Sequence, residues 1–193
     1  MEIGDLLDRC RAGDELAWEA LVRRFQARVH GLALLYLGDR EEARDCAQDV
    51  FVRVYRHLDD CREAEGFLPW LLRITRNAAI DRQRRHRARP SGRSVPLEEA
   101  SSIAAPGPDP ADELARSRRR DRGRAALDRL GSLNREIVIL KEIQGLSFES
   151  VAGMLGIPVG TAKSRSNRAR LELARMLAGP SGDGPGETGE GRS

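Results

Sequence analysis

Residues 147–177 read SFESVAGMLGIPVGTAKSRSNRARLELARML. Ser147 is placed to cap a helix running to Leu155, Gly156 supplies a turn, and Pro158 stands where a second helix opens before running to about Leu177. A short helix, a tight glycine turn and a longer basic helix form the helix-turn-helix pattern. On the second helix Ala162, Ser166, Ala169 and Leu173 share one side at three- and four-residue spacing, so they are expected to pack inward. Lys163, Ser164, Asn167, Arg168 and Leu171 are left on the outer side, where ammonium, hydroxyl, amide and guanidinium groups can hydrogen-bond base edges in a major groove. Thr161, Arg165 and Arg170 flank that strip where backbone phosphates would lie.

Working outward, further helical segments are expected at about 124–130 and 133–144, so residues 114–178 form one small helical domain. The stretch 90–113, PSGRSVPLEEASSIAAPGPDPADE, has no apolar periodicity and reads as a flexible linker. Residues 179–193 are rich in glycine and read as a disordered tail that cannot bury a core. Residues 1–89 are again helical in pattern. Ala43, Cys46, Ala47, Val50, Val54 and Leu58 put one apolar stripe on a helix from about Asp39 to Leu58, whose opposite face carries Asp45, Gln48, Asp49, Arg53 and Arg56. After a polar loop at 59–66 comes a helix with Leu71, Ile74 and Ala78 facing inward and Asn77, Asp81, Arg84 and Arg85 outward. Leu16, Ala20, Leu21 and Phe25 mark another helix, with Val29 to Leu37 as a buried continuation. Three or four such helices pack into a bundle.

Composition agrees with an all-α fold of two small helical domains. Aromatic residues make up only 4% of the 193, so the core must be aliphatic, which favours helices over a β-sandwich. The longest apolar run, Gly31 to Leu37, is far too short to span a bilayer, and the acidic start at Glu2 and Asp5 is unlike a signal peptide; a cytoplasmic chain without membrane insertion is expected. Cys10, Cys46 and Cys61 form no CxxC pair, and His30, His57 and His86 show no HxxxH or HExxH spacing, so no metal and no cofactor are expected. The net charge of +3 conceals clustering, since all but two of the 33 basic residues are arginine. Runs at 82–89, 116–124 and 163–175 can each attract phosphate through counterion release.

These residues resemble the extracytoplasmic-function group of the sigma-70 family of bacterial sigma factors. EEARDCAQDVFVRVYRHL (41–58) resembles the family's segment that binds core RNA polymerase, and FLPWLLRITRNAAIDRQRR (67–85) its segment that melts and reads the minus-10 element. LGSLNREIVILKEIQGLSFESVAGMLGIPVGTAKSRSNRAR (130–170) resembles its minus-35-reading domain; the order and spacing of the three also match, and the resemblance as a whole covers about 150 of the 193 residues. The resemblance implies that 1–89 is region 2 and 114–178 region 4, with no room for the middle domain of larger sigma factors. It further implies that Asp45, Gln48, Asp49 and Arg53 dock on the clamp helices of the polymerase's largest subunit. Arg73, Arg76 and Asn77 would contact the non-template strand, and Arg84 and Arg85 upstream phosphates, with Phe67 and Trp70 able to stack on bases unless Trp70 belongs to the core. Thr161, Lys163, Ser164, Arg165, Asn167 and Arg168 would contact minus-35 DNA. Promoter DNA and core polymerase are therefore the implied partners, and an anti-sigma factor is expected from the resemblance alone. No catalysis is implied, because melting by capture makes no bond.

Several positions depart from the family pattern. Ser150 stands where an acidic residue commonly completes the capping box, Gly153 lies within a helix, and Ala162 and Ser166 are smaller than usual, each at a cost of up to about 1 kcal/mol. Asn167 replaces a more usual ring or larger side chain. Acidic residues in the linker, Glu98, Glu99, Asp109, Asp112 and Glu113, suit a soluble tether. A stand-alone helix-turn-helix regulator would leave the first 88 residues unexplained. A nuclease or recombinase would need the acidic cluster Asp39, Glu41, Glu42, Asp45 and Asp49 to hold metal, whereas the interleaved Arg40, Arg44 and Arg53 point to an ion-paired surface.

Overall fold

A computed structural model describes residues 1–61, 63–88 and 110–178. The part of the expected linker at 90–109 and the tail at 179–193 lie outside the described residues, as do Glu98, Glu99 and Asp109. Within them the chain forms eight α-helices and no strand: α1 (Ile3–Arg11), α2 (Glu15–Leu37), α3 (Arg40–Arg56), α4 (Phe67–Ala88), α5 (Pro110–Asp128), α6 (Ser132–Val138), α7 (Phe148–Leu155) and α8 (Val159–Ala178).

The helix ends follow local chemistry. Asp14 caps α2 by accepting from the Ala17 amide at 3.1 Å, and Asp39 caps α3 by accepting from Glu42 at 2.8 Å. Between them Gly38 takes the left-handed conformation, φ 78°, and donates back to the Leu34 carbonyl at 2.9 Å. The helix expected at Leu16–Phe25 and its continuation at 29–37 are thus one helix of 23 residues. α1, which buries Leu6, Leu7 and Cys10, is additional to the helices expected from the sequence. α5 opens at Pro110, a residue suited to the first helical position, inside the stretch assigned to the linker. α6 runs on into a π-helical turn at Ile139–Ile143, closed by the Gln144 amide on the Ile139 carbonyl at 2.9 Å.

α1 to α4 surround one core that includes Leu21, Phe25, Val29, Val50, Val54, Phe67 and Leu71. The stripe read on α3 is buried as expected, with Ala43, Cys46, Val50 and Val54 fully covered. α5, α6 and α8 share a smaller core of Leu127, Leu130, Val138 and Ala169. A third cluster joins the two halves: Leu32 of α2 and Leu72 of α4, both fully buried, pack with Ile137, Leu140, Leu146 and Val151. Each of those two leucines contributes about 2 kcal/mol by leaving water. α2 and α4 therefore bury two faces, which is why neither shows a single clean stripe. The two halves are packed on each other, rather than held apart as a tether would allow.

Candidate nucleic-acid and polymerase interfaces

The helix-turn-helix forms as its sequence dictates. Ser147 Oγ accepts from the Ser150 amide at 3.0 Å, and α7 ends at Gly156 with φ 68°, a conformation that glycine adopts without penalty. Across the turn, Ala162, Ser166 and Ala169 are buried, leaving Lys163, Ser164, Asn167 and Arg168 exposed on one strip. Ser164 Oγ donates to the Thr161 carbonyl at 3.1 Å, so its hydroxyl is already oriented by its own helix. Arg165 differs from its neighbours: it is half-buried and donates to Asn134 Oδ1 of α6 at 3.3 Å, so it ties α8 to the domain. Lys141 and Lys163 lie 4.8 Å and 6.0 Å from the Phe148 ring centre, a cation–π arrangement that fixes positive charge beside the strip.

On α3, Asp45, Gln48, Asp49 and Arg53 are all exposed on the face opposite the core. Asp49 is engaged at one end, since its Oδ2 accepts from Arg82 Nη2 of α4 at 2.5 Å. Arg82 also reaches Glu42 Oε2 at 3.2 Å, and His86 Nε2 lies 3.2 Å from Glu42 Oε1. Burial works against the Arg82 charge, and Asp49 outweighs it, so the guanidinium is held above its usual range. Within the acidic cluster, Glu42 and Asp49 are thus paired with Arg82 of α4 rather than with Arg40, Arg44 or Arg53, while Asp39 caps α3.

On α4, Arg73, Asn77, Arg84 and Arg85 are exposed. Arg76 is not: its Nη2 donates to both carboxylate oxygens of Glu136 in α6, at 2.8 Å and 3.1 Å. Tyr36 Oη donates to the same carboxylate at 3.2 Å. Burial pushes the Tyr36 phenol well above its ordinary value, and the Glu136 charge adds to that rise. Phe67 requires a correction, because it is fully buried, edge-on to Phe25 with ring centres 5.2 Å apart, and cannot stack on a base. Trp70 is half-buried; it packs against the core beside Phe67 and also lines a groove of about 310 Å³ between Pro69, Trp70 and Arg73 of α4 and Ser150, Gly153 and Met154 of α7.

The sequence marks neither Glu136 nor Tyr36, and it marks Arg82 only as part of the 82–89 basic run. The available signal was the doubled apolar pairs Leu71–Leu72 and Ala78–Ala79, which a helix with one buried face does not need. The three cysteines are free and buried, and burial raises the pKa of each thiol.

A helical bundle bearing a charged outer face, joined to a helix-turn-helix whose second helix presents an exposed basic strip, defines a DNA-binding transcription protein. The Sigma-70 region 2 family model matches residues 21–89, and the Sigma-70 region 4 model matches residues 122–173. The chain is 36% identical over 173 residues to the ECF RNA polymerase sigma factor SigM of Mycobacterium tuberculosis, covering 90% of this chain and 83% of that protein. It is 31% identical to the ECF sigma factor SigW of Bacillus subtilis, covering 92% and 97%. Among solved structures, it is similar to the sigma factor RpoE of Bartonella quintana in complex with the anti-sigma factor NepR, with a TM-score of 0.63, 25% identity, and coverage of 84% and 97%. It is also similar to CnrH in complex with the cytosolic domain of CnrY, with a TM-score of 0.62, 27% identity, and coverage of 91% and 97%. The chain belongs to the extracytoplasmic-function sigma factors of the sigma-70 family, and its function is that of a sigma factor in transcription initiation.

Proposed function

We propose that residues 1–89 dock on core RNA polymerase and capture the minus-10 element, while residues 114–178 read the minus-35 element, with 90–113 connecting them and 179–193 as a tail. Asp45, Gln48, Asp49 and Arg53 meet the clamp helices of the largest subunit: a charged and amide-bearing strip on a rigid helix gives directional pairing without a large apolar patch. Arg73, Arg76 and Asn77 hold the displaced single strand, and Arg84 and Arg85 the phosphates upstream. Lys163, Ser164, Asn167 and Arg168 read base edges. Thr161 and Arg165 sit beside them, Arg165 mainly as the brace that sets the angle of α8.

The observation that carries this reading is the sidedness of α8, where a buried inner row of alanine and serine sets four base-competent side chains into solvent. Initiation by capture makes no covalent bond, so the chain acts without catalysis and in the cytoplasm alongside the polymerase. An anti-sigma partner is proposed because the similar sigma factor RpoE was solved in complex with the anti-sigma factor NepR. The test is reconstitution with core polymerase on fragmented genomic DNA, followed by sequencing of the transcripts. Start sites preceded by two spaced elements support the assignment; no initiation above core polymerase alone refutes it.

A further inference from the structure

α1 lies wholly ahead of the stretch that the region 2 model matches, which begins at residue 21. The helix is firmly anchored. Leu6 and Leu7 are buried in the first core, the Trp18 indole Nε1 donates to the Cys10 carbonyl at 3.1 Å, and Arg9 pairs with Asp14, the cap of α2, at 2.6 Å. From that base Arg11 reaches across to another part of the chain. Its Nη1 donates to Asp8 Oδ1 of its own helix at 2.7 Å, and its Nη2 donates to the Cys61 carbonyl at 2.5 Å. Among the described residues this is the only hydrogen bond that ties residues 61–66 to a helix other than α3 and α4. Gly4 meets the same turn, since a Cβ built on it would stand 3.8 Å from that of Ala64.

The turn passes its position on to α4 through its backbone. The Gly66 amide donates to the Glu63 carbonyl at 3.1 Å, Phe67 to Ala64 at 3.2 Å, and Trp70 to Gly66 at 3.1 Å. Trp70 and Arg73 stand on the first two turns of the helix that starts there, along one groove with Gly66. The turn also exposes Glu63 and Glu65, whose charges repel a phosphate backbone if the turn swings toward it. Fixing the Cys61 carbonyl therefore sets the start of α4 and limits the travel of two carboxylates.

We propose that α1 is a positioning element for minus-10 capture: through Arg11 it fixes the turn at 61–66, and so the place at which α4 presents Arg73 to the displaced single strand. The inference rests on the assignment of Arg73 to that strand. Arg11 touches no nucleotide; it acts through the Cys61 carbonyl, by removing freedom that the turn would otherwise lose on binding.

Hydrogen exchange of the full chain, read by mass spectrometry on peptides spanning 58–72, tests the brace itself. Arg11→Ala should speed exchange there by about tenfold, the equivalent of one hydrogen bond, and leave residues 43–54 of α3 at the wild-type rate. Holoenzyme formed with core polymerase is then titrated, by fluorescence anisotropy, with two fluorescein-labelled DNAs built from a promoter recovered by transcript sequencing. One is single-stranded across the minus-10 element, and the other is a duplex bearing the minus-35 element alone. Arg11→Ala should weaken binding of the first by about 3- to 10-fold and leave the second unchanged. Arg11→Lys keeps the charge and a donor on a similar stem, so it should bring exchange and binding back toward wild type. Arg23→Ala, which removes one exposed charge from α2, should change neither. Unchanged exchange at 58–72 in Arg11→Ala overturns the proposal, and so does faster exchange with equal affinity for the minus-10 DNA, or an equal loss on both DNAs. Failure of the wild-type holoenzyme to initiate counts against the assigned function, whereas the exchange comparison stands independently of it.

Discussion

Truncating Arg168 to alanine should weaken binding to a cognate minus-35 duplex and leave the fold intact. Its side chain is exposed on the outer strip of α8, so the change opens no cavity and strands no buried partner among the described residues. The neighbouring Arg165 would not give so clean a test, because losing its hydrogen bond to Asn134 would also loosen α8. A guanidinium that pairs with a base edge contributes about 1–3 kcal/mol of discrimination. At about 1.4 kcal/mol per tenfold, that is a loss of roughly 5- to 150-fold in affinity for the specific site. Random duplex should lose much less, since only one of many backbone charges disappears. The assay is equilibrium binding of the full chain, bound to core polymerase, to labelled duplexes over a salt series. Preference at one base position should relax while the salt slope stays nearly unchanged. An equal loss on specific and random duplex, with the slope reduced by about one, would place Arg168 on a phosphate and refute base reading.

Gly153→Ala should stabilise the second half by about 0.5–1 kcal/mol, because a Cβ there meets open space and the glycine costs helix entropy; an unchanged or lower thermal midpoint contradicts this. Arg82→Ala should cost about 1 kcal/mol in urea titration by leaving Asp49 unpaired and Glu42 with His86 alone, and it should change polymerase affinity as Asp49 is freed. The Tyr36 phenol is raised in the folded chain, so the folded state keeps a proton that the unfolded state gives up above the ordinary value of 10.0. Stability from this group is therefore fully present below about pH 10 and declines as pH rises further. Tyr36→Phe should flatten that decline in denaturant midpoints between pH 9 and 11.5, and equally steep curves for both proteins would rule the effect out.

The parts of the fold that rest on local signals could be read from the sequence. Ser147, Gly156 and the spacing of Ala162, Ser166 and Ala169 act within a few residues of one another, so the helix-turn-helix and the sidedness of α8 needed no knowledge of distant contacts. The stripe of α3 was equally plain, because that helix buries a single face. What escaped depends on partners far along the chain. Leu32 and Leu72 look like surplus apolar residues until α6 and α7 cover them. Arg76 has the spacing of an outward residue on α4, and only Glu136, 60 positions away, turns it inward. Phe67 follows a polar loop and resembles an exposed aromatic, but Phe25 lies edge-on to it from the middle of α2.

The methyl and hydroxymethyl groups of Ala162, Ser166 and Ala169 let α8 lie close to its supports, so the height of the reading strip above the domain is set by very small side chains. Enlarging any of them would lift and tilt the whole row of contacts at once, as a shim under a ruler displaces every mark on it. Promoter preference in this protein is therefore open to change from beneath, through residues that never touch a nucleotide.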